Sequence, residues 1–146
     1  MEDFYTIQGE GFHSGLASYF IRIGGCDVGC HWCDVKESWD ANKHPLVDTD
    51  EVVQRALSYS KHVIITGGEP LIWNLDYLCA ALKKGDAEIH LETSGAYPFS
   101  GRWDWVCLSP KRRSMPLDEA YAKANELKII VYNSDDFRFA EEEAEK

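Results

Sequence analysis

The sequence predicts an α/β fold, a single domain over residues 1–146 built as an open, partial (β/α) barrel. Two observations carry the class. Short runs of β-branched and aromatic residues alternate with segments of helical spacing along the whole chain. The runs number about five, too few to close a barrel. The length sets the domain count, because 146 residues support one real core and leave little room for a second.

Ser18-Tyr19-Phe20-Ile21-Arg22-Ile23 reads as the first strand, stopped by Gly24-Gly25. Between 48 and 60, Val52, Val53, Ala56 and Leu57 recur at helical spacing, with Asp48 or Thr49 as N-cap. His62-Val63-Ile64-Ile65 is a short buried strand broken by Gly67-Gly68. Leu75, Leu78 and Leu82 place a helix over 74–84, which Gly85 ends. Strands are expected over 87–92 and 105–108, a helix over 117–125, a strand over 127–131 and a last helix from Asp135. Such an alternation implies parallel βαβ units with right-handed crossovers, whose functional groups collect at the carboxyl ends of the strands. Each of the first four strands runs into a loop of unusual chemistry: the cysteines, Gly67-Gly68-Glu69-Pro70, Glu92-Thr93-Ser94-Gly95, and Ser109-Pro110-Lys111.

The net charge of −10, from 25 acidic and 15 basic side chains, repels phosphate backbones and anionic lipid. No nucleic-acid partner is expected. The acids between Asp135 and Glu145 read as a solvated helix face. No apolar run is long enough for a bilayer, so no membrane association is expected either. Three of the five cysteines lie within eight residues, unlike the dispersed pairs of a secreted disulfide scaffold, and no export signal follows Met1. A cytoplasmic location is expected.

Cys26-x3-Cys30-x2-Cys33 sets three thiolates on one short loop, the soft ligands an iron–sulfur cluster needs. A cubane has four irons, so three cysteines leave one iron open to a chelating ligand. Taken alone, the spacing also suits a Cys3His zinc site completed by His31 or His44, a non-catalytic module. Cys79 and Cys107 fall on apolar stretches and read as small buried residues. Glu69, by itself, also fits a carboxylate capping the turn after the glycines.

The cysteine spacing, Trp32 before the last cysteine and the Gly67-Gly68-Glu69-Pro70 turn together resemble the radical S-adenosylmethionine (SAM) superfamily. The resemblance implies a partial barrel of the radical SAM type, a [4Fe–4S] cluster on Cys26, Cys30 and Cys33, and SAM chelated at the open iron. Phe4-Tyr5-Thr6-Ile7-Gln8-Gly9-Glu10-Gly11, Arg22, Cys33-Asp34 and the two later loops narrow the resemblance to the 7-carboxy-7-deazaguanine synthases of 7-deazapurine pathways, queuosine biosynthesis included.

That family implies a carbon–nitrogen lyase. It rearranges 6-carboxy-5,6,7,8-tetrahydropterin to 7-carboxy-7-deazaguanine with loss of ammonia, beginning with hydrogen abstraction at C6 by the 5′-deoxyadenosyl radical. Carried over, Ile7, Gln8, Gly9, Glu10, Arg22 and Thr66 are expected at the pterin. Trp32, Asp34, Gly68, Glu69, Glu92, Ser109 and Lys111 are expected at SAM. Mg2+, an electron donor such as flavodoxin and a homodimer are implied as well. Val35 stands where many relatives have a Thr or Ser oxygen for magnesium and offers no side-chain oxygen, so the metal is expected to be held by substrate, water or backbone, its site residue left unknown. Relatives continue past Lys146 with a segment that closes the pocket, so the barrel is expected to be truncated at its C-terminal end. A radical SAM activating enzyme acting on a protein partner is a competing reading; the Gln8-Gly9-Glu10 segment favours the small molecule.

Overall fold

Six strands follow one another across a single sheet in the order they occur in the chain. The computed structural model describes residues 1–146. Its elements are β1 (Glu2–Ile7), β2 (Ala17–Ile23), α1 (Thr49–Tyr59), β3 (His62–Gly67), α2 (Asp76–Lys84), β4 (Glu88–Thr93), β5 (Trp105–Leu108), α3 (Asp118–Lys123), β6 (Glu126–Leu127) and α4 (Ser134–Ala144). From β2 onward every neighbouring pair is parallel, as expected of βαβ units. The sheet stays open, as expected of a partial barrel, and its edges are β1 and β6.

Strand periodicity divides the side chains between two faces. Val63, Ile65, Ile89 and Leu91, all fully buried, point outward and pack with Val53 and Ala56 of α1 and with Leu78 and Leu82 of α2. Each fully buried aliphatic side chain contributes about 2 kcal/mol of transfer free energy, so this layer is the core. The alternate residues Phe20, Arg22, Thr66 and Glu92 line a cavity on the inner face. Asp48 caps α1 as predicted, its carboxylate accepting from the amides of Asp50 and Glu51.

Three expectations are corrected. The sheet is mixed, because Glu2–Ile7 forms an antiparallel edge strand that periodicity alone did not mark. Tertiary contacts hold it there: Phe4 stacks on Phe20 at 5.6 Å, and Arg55 of α1 clasps Asp3 through Nε at 2.9 Å and Nη2 at 2.7 Å. The last strand is only Glu126–Leu127, although the amide of Lys128 still reaches the Leu108 carbonyl at 2.8 Å. Beyond Lys128, Ile130, Val131 and Tyr132 are exposed, so no neighbour extends the pairing. The third helix is also short, Asp118–Lys123.

Candidate active site

The carboxyl ends of β2 to β5 open onto one cavity of about 490 Å³. Cys26, Cys30 and Cys33 line it together with Gln8, Glu10, Arg22, Trp32, Asp34, Thr66, Gly68, Glu69, Glu92, Ser109 and Lys111. Of the residues expected at the cluster, SAM or the pterin, only Ile7 and Gly9 lie outside its wall; both are exposed, on the segment leading to Gln8 and Glu10.

The cysteine loop is tied to what precedes and follows it. The amide of Gly25 reaches the Ser38 carbonyl at 2.6 Å, and that of Cys26 reaches Trp39 at 3.1 Å. The Gly-Gly-Glu-Pro turn docks from the other side, with the Gly68 amide on Ile23 at 3.0 Å and the Glu69 amide on Gly25 at 2.8 Å. A Cβ at Gly68 would stand 2.2 Å from the Gly25 oxygen and 2.7 Å from the Cys26 Cβ, so only glycine lets the two loops meet. The Gly68 carbonyl accepts no hydrogen bond within the protein.

All three cysteines are free and half-buried. Burial pushes the Cys26 and Cys30 thiols up, so loading a metal releases protons. No three cysteine, histidine or carboxylate side chains converge on one point, as a single zinc would require. His44 is held elsewhere, its Nε2 2.8 Å from the Glu37 carbonyl. Three free cysteines on one loop suit a cubane, whose irons take one thiolate each. Cys79 and Cys107 are buried with thiols pushed up to about 11 and about 12, as suits inert packing residues.

Glu69 is 1% exposed, and its carboxylate is saturated by the protein. Oε1 accepts from the Leu71 amide at 3.1 Å and the Thr93 hydroxyl at 2.6 Å, and Oε2 from the amide of Ser94 at 2.7 Å and its hydroxyl. The side chain therefore does cap the short turn Pro70–Ile72, while also joining β3 to the loop after β4. Glu92 is a second hub. It accepts from Gln8 Nε2 and Thr66 Oγ1, both at 3.0 Å, and so keeps company with residues expected at the pterin. Lys111 donates to the Ser109 carbonyl at 2.6 Å and lies over the Trp32 ring at 5.5 Å. Arg22 pairs with Glu2 at 2.8 Å and covers the Phe4 ring.

Sequence reasoning did not single out Lys128, whose Nζ stands 2.8 Å from Glu10 and 3.9 Å from Glu92. Burial opposes its charge, but the carboxylates of Glu92 and Glu10 prevail and raise its pKa. The available signal was a lone lysine within the run expected as the last strand. Thr93 and Ser94 were noticed as a loop, without their role as donors to Glu69.

The profile of the Radical SAM superfamily matches residues 20–108, from β2 to the end of β5. The 7-carboxy-7-deazaguanine synthase of Flavobacterium psychrophilum is 61% identical over all of this chain and 70% of its own length. The chain belongs to the 7-carboxy-7-deazaguanine synthase family. The synthase of a Synechocystis species is 49% identical over 99% of this chain and 70% of its own. The crystal structure of QueE from Escherichia coli superposes with a TM-score of 0.84 at 33% identity, covering 97% of this chain and 73% of that one. Membership in this synthase family supports the enzyme reading over the zinc module and the protein-activating alternative.

Proposed function

We propose that this chain is a radical SAM carbon–nitrogen lyase converting 6-carboxy-5,6,7,8-tetrahydropterin to 7-carboxy-7-deazaguanine with loss of ammonia. One observation carries the reading: three free thiols, a glycine turn with a free carbonyl and a polar wall share one cavity in a chain of this family. Cys26, Cys30 and Cys33 would hold the [4Fe–4S] cluster, beside which SAM would bind. Bound there, cluster and SAM would supply the radical chemistry.

The chain's own residues bind and orient. The unpaired Gly68 carbonyl receives the SAM ammonium, while Glu69, its oxygens already occupied, holds the Gly-Gly turn in place. Trp32, Asp34, Ser109 and Lys111 face the nucleoside and its charges. Glu92 is placed to serve either ligand, because Gln8 and Thr66 fix both its oxygens. Ile7, Gln8, Gly9, Glu10, Arg22 and Thr66 form the pterin wall. Arg22, freed from Glu2, matches the substrate carboxylate through paired donors.

Magnesium finds no oxygen in the Val35 side chain, and the Val35 carbonyl is taken by the amide and hydroxyl of Ser38, at 3.0 and 2.6 Å. Substrate carboxylate and water are left as its ligands. An electron donor of the flavodoxin type, a homodimer and a cytoplasmic location complete the proposal. No helix is long and apolar enough to cross a membrane.

Anaerobically reconstituted protein, incubated with SAM, reductant, Mg2+ and the carboxy-tetrahydropterin, is expected to yield the deazaguanine acid and ammonia by mass spectrometry. Protein that binds about four irons and cleaves SAM yet leaves the pterin unchanged would refute the substrate assignment.

A further inference from the structure

The link between β1 and β2, residues 8–16, crosses the whole inner face of the sheet. It starts at one edge strand, β1, and touches the opposite edge, β6. The link closes on itself through the Gln8 amide to the Leu16 carbonyl and the Gly15 amide to the Gln8 carbonyl, both 2.8 Å. Its far side rests on three contacts more than a hundred residues away. Lys128 Nζ lies 2.8 Å from Glu10 Oε1. The Phe12 amide donates to Glu126 Oε2 at 3.3 Å, an oxygen that also accepts from Trp105 Nε1 at 3.2 Å. Gly11, at φ 74°, sits so close that a Cβ there would stand 1.9 Å from Glu126 Oε1. Phe12 stacks on Trp105 at 5.0 Å, and His13 meets the same ring edge-on at 4.5 Å.

We propose that Lys128 and Glu126 are positioning residues for the substrate: they latch the segment bearing Gln8, Gly9 and Glu10 across the open sheet before the pterin arrives. The inference rests on the reading that this segment meets the pterin. Its physical basis is charge and preorganisation. Lys128 stands between the carboxylates of Glu10 and Glu92, so removing its ammonium leaves two like charges facing each other over the cavity. Glu126 holds the Phe12 amide and packs against Gly11, so less of the ordering of this segment is left to be supplied when ligand binds.

The test compares Lys128→Met, which removes the charge and keeps the length, with Lys128→Arg, which keeps the charge. Two readouts are taken: hydrogen exchange at the Phe12 amide of the apo chain, and calorimetric binding of the carboxy-tetrahydropterin to protein loaded with cluster and SAM. Lys128→Met is expected to speed Phe12 exchange and to weaken pterin binding, each by about tenfold, the scale of one charge-assisted hydrogen bond. Iron content should stay at the wild-type value, and Lys128→Arg should restore both readouts. Should Lys128→Met not fold, Glu126→Ala breaks the other half of the latch and is expected to move both readouts likewise. Unchanged Phe12 exchange overturns the latch. Wild-type protein that binds the pterin no more tightly than Lys128→Met overturns the positioning role alone. Loaded wild-type protein that binds SAM but no pterin overturns the functional reading, and the positioning role falls with it.

Discussion

Glu69→Gln separates the structural duty of the Gly-Gly-Glu-Pro turn from ligand binding. The substitution keeps the side-chain volume and replaces one carboxylate oxygen with an amide NH2. Whichever way the amide turns, two donors lose their acceptor: the Leu71 amide and Thr93 hydroxyl, or the amide and hydroxyl of Ser94. The hydroxyl of either pair can rotate and accept from the new NH2, but the backbone N–H is left facing another donor in a site 1% exposed. A hydrogen bond to a charged group is worth about 1.5–3 kcal/mol, and a buried unpaired donor costs about 1–3 kcal/mol. With the relief of removing a buried charge set against these, the net loss is about 2–4 kcal/mol. For a domain of this size that lowers the melting temperature by roughly 10 °C. Thermal unfolding of the apo protein, followed anaerobically by circular dichroism, measures it without any ligand. A fall under about 2 °C would mean that the four contacts do not stabilise the fold, and that Glu69 serves the cofactor alone.

Gly68→Ala should lose iron, because its Cβ collides with the Gly25 oxygen at 2.2 Å and pushes the cysteine loop away; full iron and sulfide content after reconstitution would contradict that steric account. Burial lowers the pKa of His90 from 6.5, against the opposing pull of Glu88, while His13, His62 and Trp105 complete its surroundings. The unfolded chain then binds the proton more readily, so this contribution to stability is complete above about pH 6.5 and is lost as pH falls through the folded value. Denaturant midpoints of the apo protein should therefore drop on mild acidification in the wild type and less so in His90→Gln; parallel slopes would rule His90 out as the source. Val35→Thr supplies the side-chain oxygen that the loop lacks, and the magnesium concentration for half-maximal turnover should fall several-fold. A titration curve that does not move would show that the metal stays out of reach of this position.

What could be read from the sequence by itself was whatever is encoded in neighbours along the chain. The spacing of Cys26, Cys30 and Cys33, the glycine turn, the Asp48 cap and the central run of strands and helices from β2 to β5 depend on residues a few positions apart, and each stands within a residue or two of where it was expected. Tertiary structure decided the rest, because the partners are far apart in sequence. β1 is a strand because Arg55 and Phe20 hold it, not because its own residues alternate cleanly. Glu69 binds donors brought by β4, and Lys128 gains its meaning only when chain folding carries Glu10 across the sheet from 118 positions away. Local spacing determines which chemistry a loop can offer, whereas burial and charge pairing between distant strands determine which of those groups are free to use it.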